Sequence, residues 1–97
     1  MTAQLFFQKG LLLLDQNQGI DGIEALNKAI SLAETEDDQV TLGAASCCLG
    51  EFLYFQGKSK EAVLLLEKTL NITCERDLLS YEKRRAQEIL TELGGVS

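Results

Sequence analysis

The sequence predicts an all-α fold of about five helices, stacked as antiparallel hairpins in the manner of a solenoid fragment. Three observations predict it. Proline is absent, while Leu, Ala, Glu, Lys and Gln are plentiful, a composition that favours helix and disfavours sheet. Apolar residues recur at spacings of three and four between short runs rich in Gly, Asn and Asp. Two stretches repeat one pattern of small and large residues at a 40-residue step.

The first helix is predicted over Ala3 to Asp15. Leu5, Phe6, Leu12 and Leu13 follow a helical period, and Phe7, Leu11 and Leu14 form a second stripe. A helix apolar on more than one side packs on both, or packs with one and binds with the other. Asp15 to Gly19 reads as a turn. Asp21 then opens the second helix, with Glu24 three residues on completing a capping box. Ile23, Leu26, Ala29, Ile30 and Ala33 supply its buried face. The acidic run Glu34 to Asp38 disfavours a helix C-terminus and favours an N-terminus, which places a boundary near 35–37.

The third helix is predicted from about Asp38 to Gln56, with contacts from Val40, Ala44, Cys48, Leu49, Phe52, Leu53 and Phe55. Gly57 suits the left-handed position that ends a helix. Ser59 is placed to cap the fourth helix, whose stripe is Ala62, Val63, Leu66, Thr69 and Leu70. Small residues at Gly50 and Ala62 mark the contact of this hairpin. Asn71 to Arg76 reads as a connector. Asp77 to Leu93 is the fifth helix, with Leu78, Leu79, Ala86, Ile89, Leu90 and Leu93 along one edge, and Gly94-Gly95 stops it.

Ninety-seven residues fit one domain, 1–97. A net charge of −6 argues against nucleic acid and against an anionic membrane surface, because both require neutralising phosphates. No apolar run approaches the roughly 20 residues of a membrane span. The N-terminal stretch, broken by Gln8, Lys9 and Asp15, lacks the form of a signal peptide. The three cysteines Cys47, Cys48 and Cys74 are an odd count without a framework, and with no histidine they leave a tetrahedral zinc site incomplete. These features fit an intracellular, cytoplasmic chain with reduced thiols, without metal or cofactor.

The repeat pairs Gly10 with Gly50, Leu13 with Leu53, Gly22 with Ala62, Leu26 with Leu66, Ala29 with Thr69 and Ile30 with Leu70. Leu49-Gly50, Leu53, Gly57, Ala62, Leu66 and Leu70 resemble the small/large pattern of the tetratricopeptide repeat family. The units span about 3–36 and 43–76, followed by a capping or third-unit helix at 77–93. Ser46 stands where that family usually carries an aromatic, Cys74 where it often has proline, and Gly22 and Thr69 replace alanines. The step exceeds the family's usual 34 residues, as in its longer-period variants.

The resemblance implies that the first helix of each hairpin lines a concave groove for a peptide or helix. The lining would then be Gln4, Phe7, Leu11, Leu14 and Asp15, with Ala44, Cys47, Glu51, Tyr54 and Phe55. The expected partner contacts are Phe7, Leu11, Leu14, Cys47, Glu51, Tyr54 and Phe55. Relatives that grip a terminal carboxylate use Lys, Asn and Arg here, whereas this chain offers an apolar floor with one acid. That floor suits an amphipathic helix or peptide of a partner protein. The same apolar face also suits a second copy of the chain, which makes a self-assembling structural module the alternative. The other reading makes Phe7, Leu11 and Leu14 core residues; the sequence leaves both open.

No catalytic constellation is visible. Histidine is absent, no Gly-rich phosphate loop or nucleophile elbow occurs, and the carboxylates Glu36, Asp37 and Asp38 fall in a predicted loop. The expectation is a protein-interaction adaptor rather than an enzyme.

Overall fold

The computed structural model describes residues 2–73 and 78–94. Five helices fill them: α1 (Ala3–Asp15), α2 (Gly19–Glu36), α3 (Gln39–Phe55), α4 (Ser59–Asn71) and α5 (Ser80–Glu92). There is no strand among the described residues.

The first three helices end in one way. Asn17, Asp37 and Gly57 each take a left-handed conformation, with φ of 61°, 57° and 80°. The next residue folds its N–H back onto the helix it has just left. Gln18 donates to the Leu13 carbonyl at 2.8 Å, Asp38 to Ala33 at 2.8 Å, and Lys58 to Leu53 at 2.9 Å. These are Schellman closures, which satisfy carbonyls that a helix end would otherwise leave bare. They recur every 20 residues along the chain, at 17, 37 and 57.

This closure corrects two expected caps. Because the turn is finished by residue 18, α2 begins at Gly19 and Asp21 already lies in its first turn. Gln18 occupies the cap position and its side chain makes no capping bond. Asp21 therefore acts on the helix N-terminus through its charge, not as a cap. In the same way α4 begins at Ser59, with Lys58 in the cap position and no side-chain cap. Side-chain caps occur at Thr2, which accepts from the Leu5 N–H at 3.3 Å, and at Asp38, which accepts from the Thr41 N–H at 3.1 Å.

Helices α1 and α2 form one antiparallel hairpin, α3 and α4 a second, and α2 packs on α3 between them. Helix α5 lies against both α3 and α4, and α1 meets α3 along an edge. The two hairpins close on equivalent contacts. A Cβ built on Gly10 would stand 2.8 Å from Leu26 Cδ2, and one built on Gly50 would stand 2.9 Å from Leu66 Cδ2. Glycine is required because the partner helix approaches too closely for any side chain. The Lys68 ammonium reaches Glu34 at 3.1 Å, an exposed link between α4 and α2.

Leu26, Leu49, Leu66, Leu79, Ile89 and Leu90 are the largest apolar side chains with almost no exposure. Each contributes roughly 2 kcal/mol by leaving water. Ala62 is fully buried at its predicted contact. Three predicted contacts are not core: Val40, Phe55 and Leu78 are 41%, 69% and 57% exposed. Thr41, Leu42, Ala45 and Ser46 take up the interior of α3 instead, because α2, α4 and α5 surround it on three sides. Helix α5 is shorter than the predicted 77–93; Asp77, the connector residues 74–76 and Gly95 lie outside the described residues.

Candidate partner-binding surface

The expected contact residues fall into two groups. Leu11 and Phe55 are surface residues, 41% and 69% exposed. Tyr54 is half-buried, and its ring sits 5.1 Å from that of Phe55 at an angle of 56°. Interaction with the Glu92 carboxylate is the main reason the phenol pKa is raised. Phe7 is half-buried and packs on the core.

The others serve the fold. Leu14 is wedged against Gly22, where a Cβ would come within 2.7 Å of Leu14 Cδ2. Cys47 is buried beneath α5, with its thiol directed at the Glu82 carbonyl at 3.6 Å. Burial, and then the carboxylates of Glu51 and Glu82, push this thiol up to about 12. Burial followed by Glu51 raises Cys48 to about 11. Neither thiol is poised as a nucleophile, since the thiolate is the reactive form. Cys74 lies outside the described residues.

Glu51 is claimed by α5. Its Oε2 accepts from Arg85 Nε at 2.6 Å, and Arg85 Nη1 donates to Glu88 Oε1 at 3.4 Å. The bond to Glu51 is the main reason the Arg85 pKa rises. Arg85 thus belongs first to α3, and its longer contact with Glu88 within α5 is secondary.

The reason for the split is angular. The row Gln4, Gln8, Leu11 and Asp15 of α1 faces solvent, and in the matching row of α3, Ala44, Cys48 and Glu51 are half-buried and Phe55 is exposed. Their members correspond at the 40-residue step. Phe7 and Cys47 are one residue off these rows. A single residue turns a helix by about 100°, enough to aim a side chain at the neighbouring helix.

A more apolar surface lies elsewhere. Leu5 and Leu12, one above the other on α1, are 50% and 57% exposed. Beside them, on the side of the hairpin away from α3, a cleft of about 640 Å³ runs between α1 and α2. Phe6 and Leu13 form its apolar wall with Ala25, and Lys9, Asp21, Glu24 and Lys28 line it too. The signal for it was present in the sequence as the first of the two apolar stripes of α1, Leu5, Phe6, Leu12 and Leu13. Which stripe faces outward depends on packing.

Among the described residues no group of His, Cys, Asp or Glu is placed to hold a metal ion, and no helix is long and apolar enough to cross a membrane. Neither a family model, nor a curated protein, nor a solved structure matches this chain.

Proposed function

We propose that the chain is a protein–protein interaction module, related in kind to the tetratricopeptide-like repeats it resembles, which docks an amphipathic helix or peptide of a partner. One observation carries this reading. Helix α1 spends 13 residues on packing against α2 and the edge of α3, yet leaves Leu5, Leu11 and Leu12 between 41% and 57% exposed. Single exposed leucines are ordinary, but three on one short helix, beside a formed cleft, mark a docking element. The reading is one of binding without catalysis, and it is supported by Cys47 and Cys48 being held protonated and by the pairing of Glu51 with Arg85.

The test is capture by the immobilised chain, compared with a Leu5→Asp, Leu11→Asp, Leu12→Asp triple variant of equal helicity, with light scattering on both. A monomer whose captured proteins fall at least tenfold in the triple variant supports the reading. Undiminished capture refutes it. A dimer that dissociates on the triple substitution replaces it with self-assembly through the same face.

A further inference from the structure

We infer that the outer α1–α2 cleft is a seat for one amphipathic helix of another polypeptide, lying antiparallel to α1. The inference rests on the interaction-module reading and specifies the surface, the orientation and the charge pattern of the occupant.

The first line of argument is an interface already present in the molecule. The face of α3 that carries Ala45 and Phe52 is covered by α2: Ala45 is fully buried, and Gly19 of α2 lies against the Phe52 ring, with room for a Cβ 3.4 Å away. At the 40-residue step these positions become Leu5 and Leu12 of α1, which are 50% and 57% exposed. The outer face of the first hairpin is therefore the register equivalent of a packed joint, continued where the chain supplies no helix among its described residues. A helix standing on α1 as α2 stands on α3 would run antiparallel to it.

The second line is electrostatic and independent of register. The cleft is charged unevenly along its length. Asp21 and Glu24 lie towards its Leu13 end, and Lys28 lies towards its Phe6 end. The polarity is fixed by the antiparallel hairpin, whose far end is marked by the Ala3 N–H donating to Glu36 Oε1 at 3.2 Å. A helix presents a partial positive charge at its N-terminus and a negative one at its C-terminus. Its N-terminus is thus favoured beside Asp21 and Glu24, and its C-terminus beside Lys28. That is again antiparallel to α1.

Lys9 sharpens the specification. It lines the cleft, whereas its equivalent Leu49 is 1% exposed. A two-fold pairing of α1 with another α1 would bring two such ammonium groups together, which opposes a second copy as occupant. The favoured occupant is a helix with an apolar stripe and carboxylates towards its C-terminal half. Helix α2 ends on Glu34 and Glu36 but also carries Asp21 and Glu24 in its N-terminal half, so its sequence acquires that character once those two acids are neutralised.

A synthetic peptide of residues 19–36 with Asp21→Asn and Glu24→Gln, labelled with fluorescein, is therefore the probe, titrated with the full chain and read by anisotropy. Saturable binding is expected, weakened at least tenfold by Leu12→Asp and by Lys9→Glu, and changed less than twofold by Leu11→Asp. The same peptide with its sequence reversed is expected to bind at least tenfold more weakly. No saturation up to about 1 mM overturns the inference. Equal binding of the reversed peptide overturns the orientation. Sensitivity to Leu11→Asp without sensitivity to Leu12→Asp overturns the cleft but leaves the module reading standing, and indifference to all three variants overturns both. A dimer in light scattering that Leu12→Asp abolishes assigns the cleft to a second copy and overturns the commitment to another polypeptide. Unchanged thermal midpoints of the variants exclude misfolding as the cause.

Discussion

Gly10 leaves Leu26 no room for a neighbour: a methyl group on Gly10 would lie 2.8 Å from both Cγ and Cδ2 of that leucine. Gly50 stands in the same relation to Leu66, at 3.0 and 2.9 Å. In each hairpin the two backbones approach as closely as the leucine allows.

Two effects oppose each other in Gly10→Ala and Gly50→Ala. Alanine gains about 1 kcal/mol in helix propensity. Overpacking a buried leucine costs about 1–3 kcal/mol. Because Leu26 and Leu66 are both fully buried, the steric term should win, and each substitution should destabilise by up to about 2 kcal/mol. The two losses should add, since the sites lie in separate hairpins. Urea unfolding midpoints measure this; a gain in stability at either site would show that the hairpin can open at little cost.

The three left-handed helix ends should respond in opposite directions. Gly57 has φ of 80° and open space around its missing side chain, so Gly57→Ala tests the backbone alone. A cost of about 1 kcal/mol is expected. Asn17 and Asp37 hold φ of 61° and 57° with side chains present, so Asn17→Gly and Asp37→Gly should be neutral or stabilising by a few tenths of a kcal/mol. Thermal melts of the three variants decide it.

Arg85 and Glu51 join α5 to α3 with side chains 27% and 32% exposed. Partial exposure limits the value of the pair to about 0.5–1 kcal/mol. A double-mutant cycle with Arg85→Ala and Glu51→Ala should return that coupling at low salt, and roughly half of it in about 1 M NaCl, where the Debye length is near 3 Å. A salt-independent coupling would place the pair in a drier environment than its exposure implies.

Cys47 links stability to alkaline pH. Its ordinary value of 9.0 is pushed up to about 12 by burial and adjacent acids, so folding favours the neutral thiol. In the unfolded chain the thiol ionises first. The stabilisation is complete below pH 9 and is lost as pH rises from about 9 towards 12. Cys47→Ala should flatten that slope in denaturation curves taken from pH 8 to 11. Equal slopes in both proteins would assign the alkaline loss to other groups. Iodoacetamide should likewise reach Cys47 at pH 8 only as fast as the core opens, read by peptide mass spectrometry.

The sequence by itself determined the helical class, the approximate span of each helix and the places where helices touch. Composition and period act locally: the leucine spacings, the small residues at Gly10, Gly50 and Ala62, and the left-handed Gly57 each carry their own physical reason. It misplaced the caps at Asp21 and Ser59, because a Schellman closure in the preceding turn sets the helix start regardless of a good capping residue nearby. Tertiary structure alone decided which apolar stripe of α1 is covered. Phe7, Leu11 and Leu14 differ little as side chains, yet Leu14 is wedged on Gly22, Phe7 packs on the core and Leu11 faces water. It also decided that Cys47 and Glu51 belong to α5, through the Glu82 carbonyl and Arg85. Burial is a property of the neighbour that arrives, and periodicity along one helix does not encode which neighbour that is.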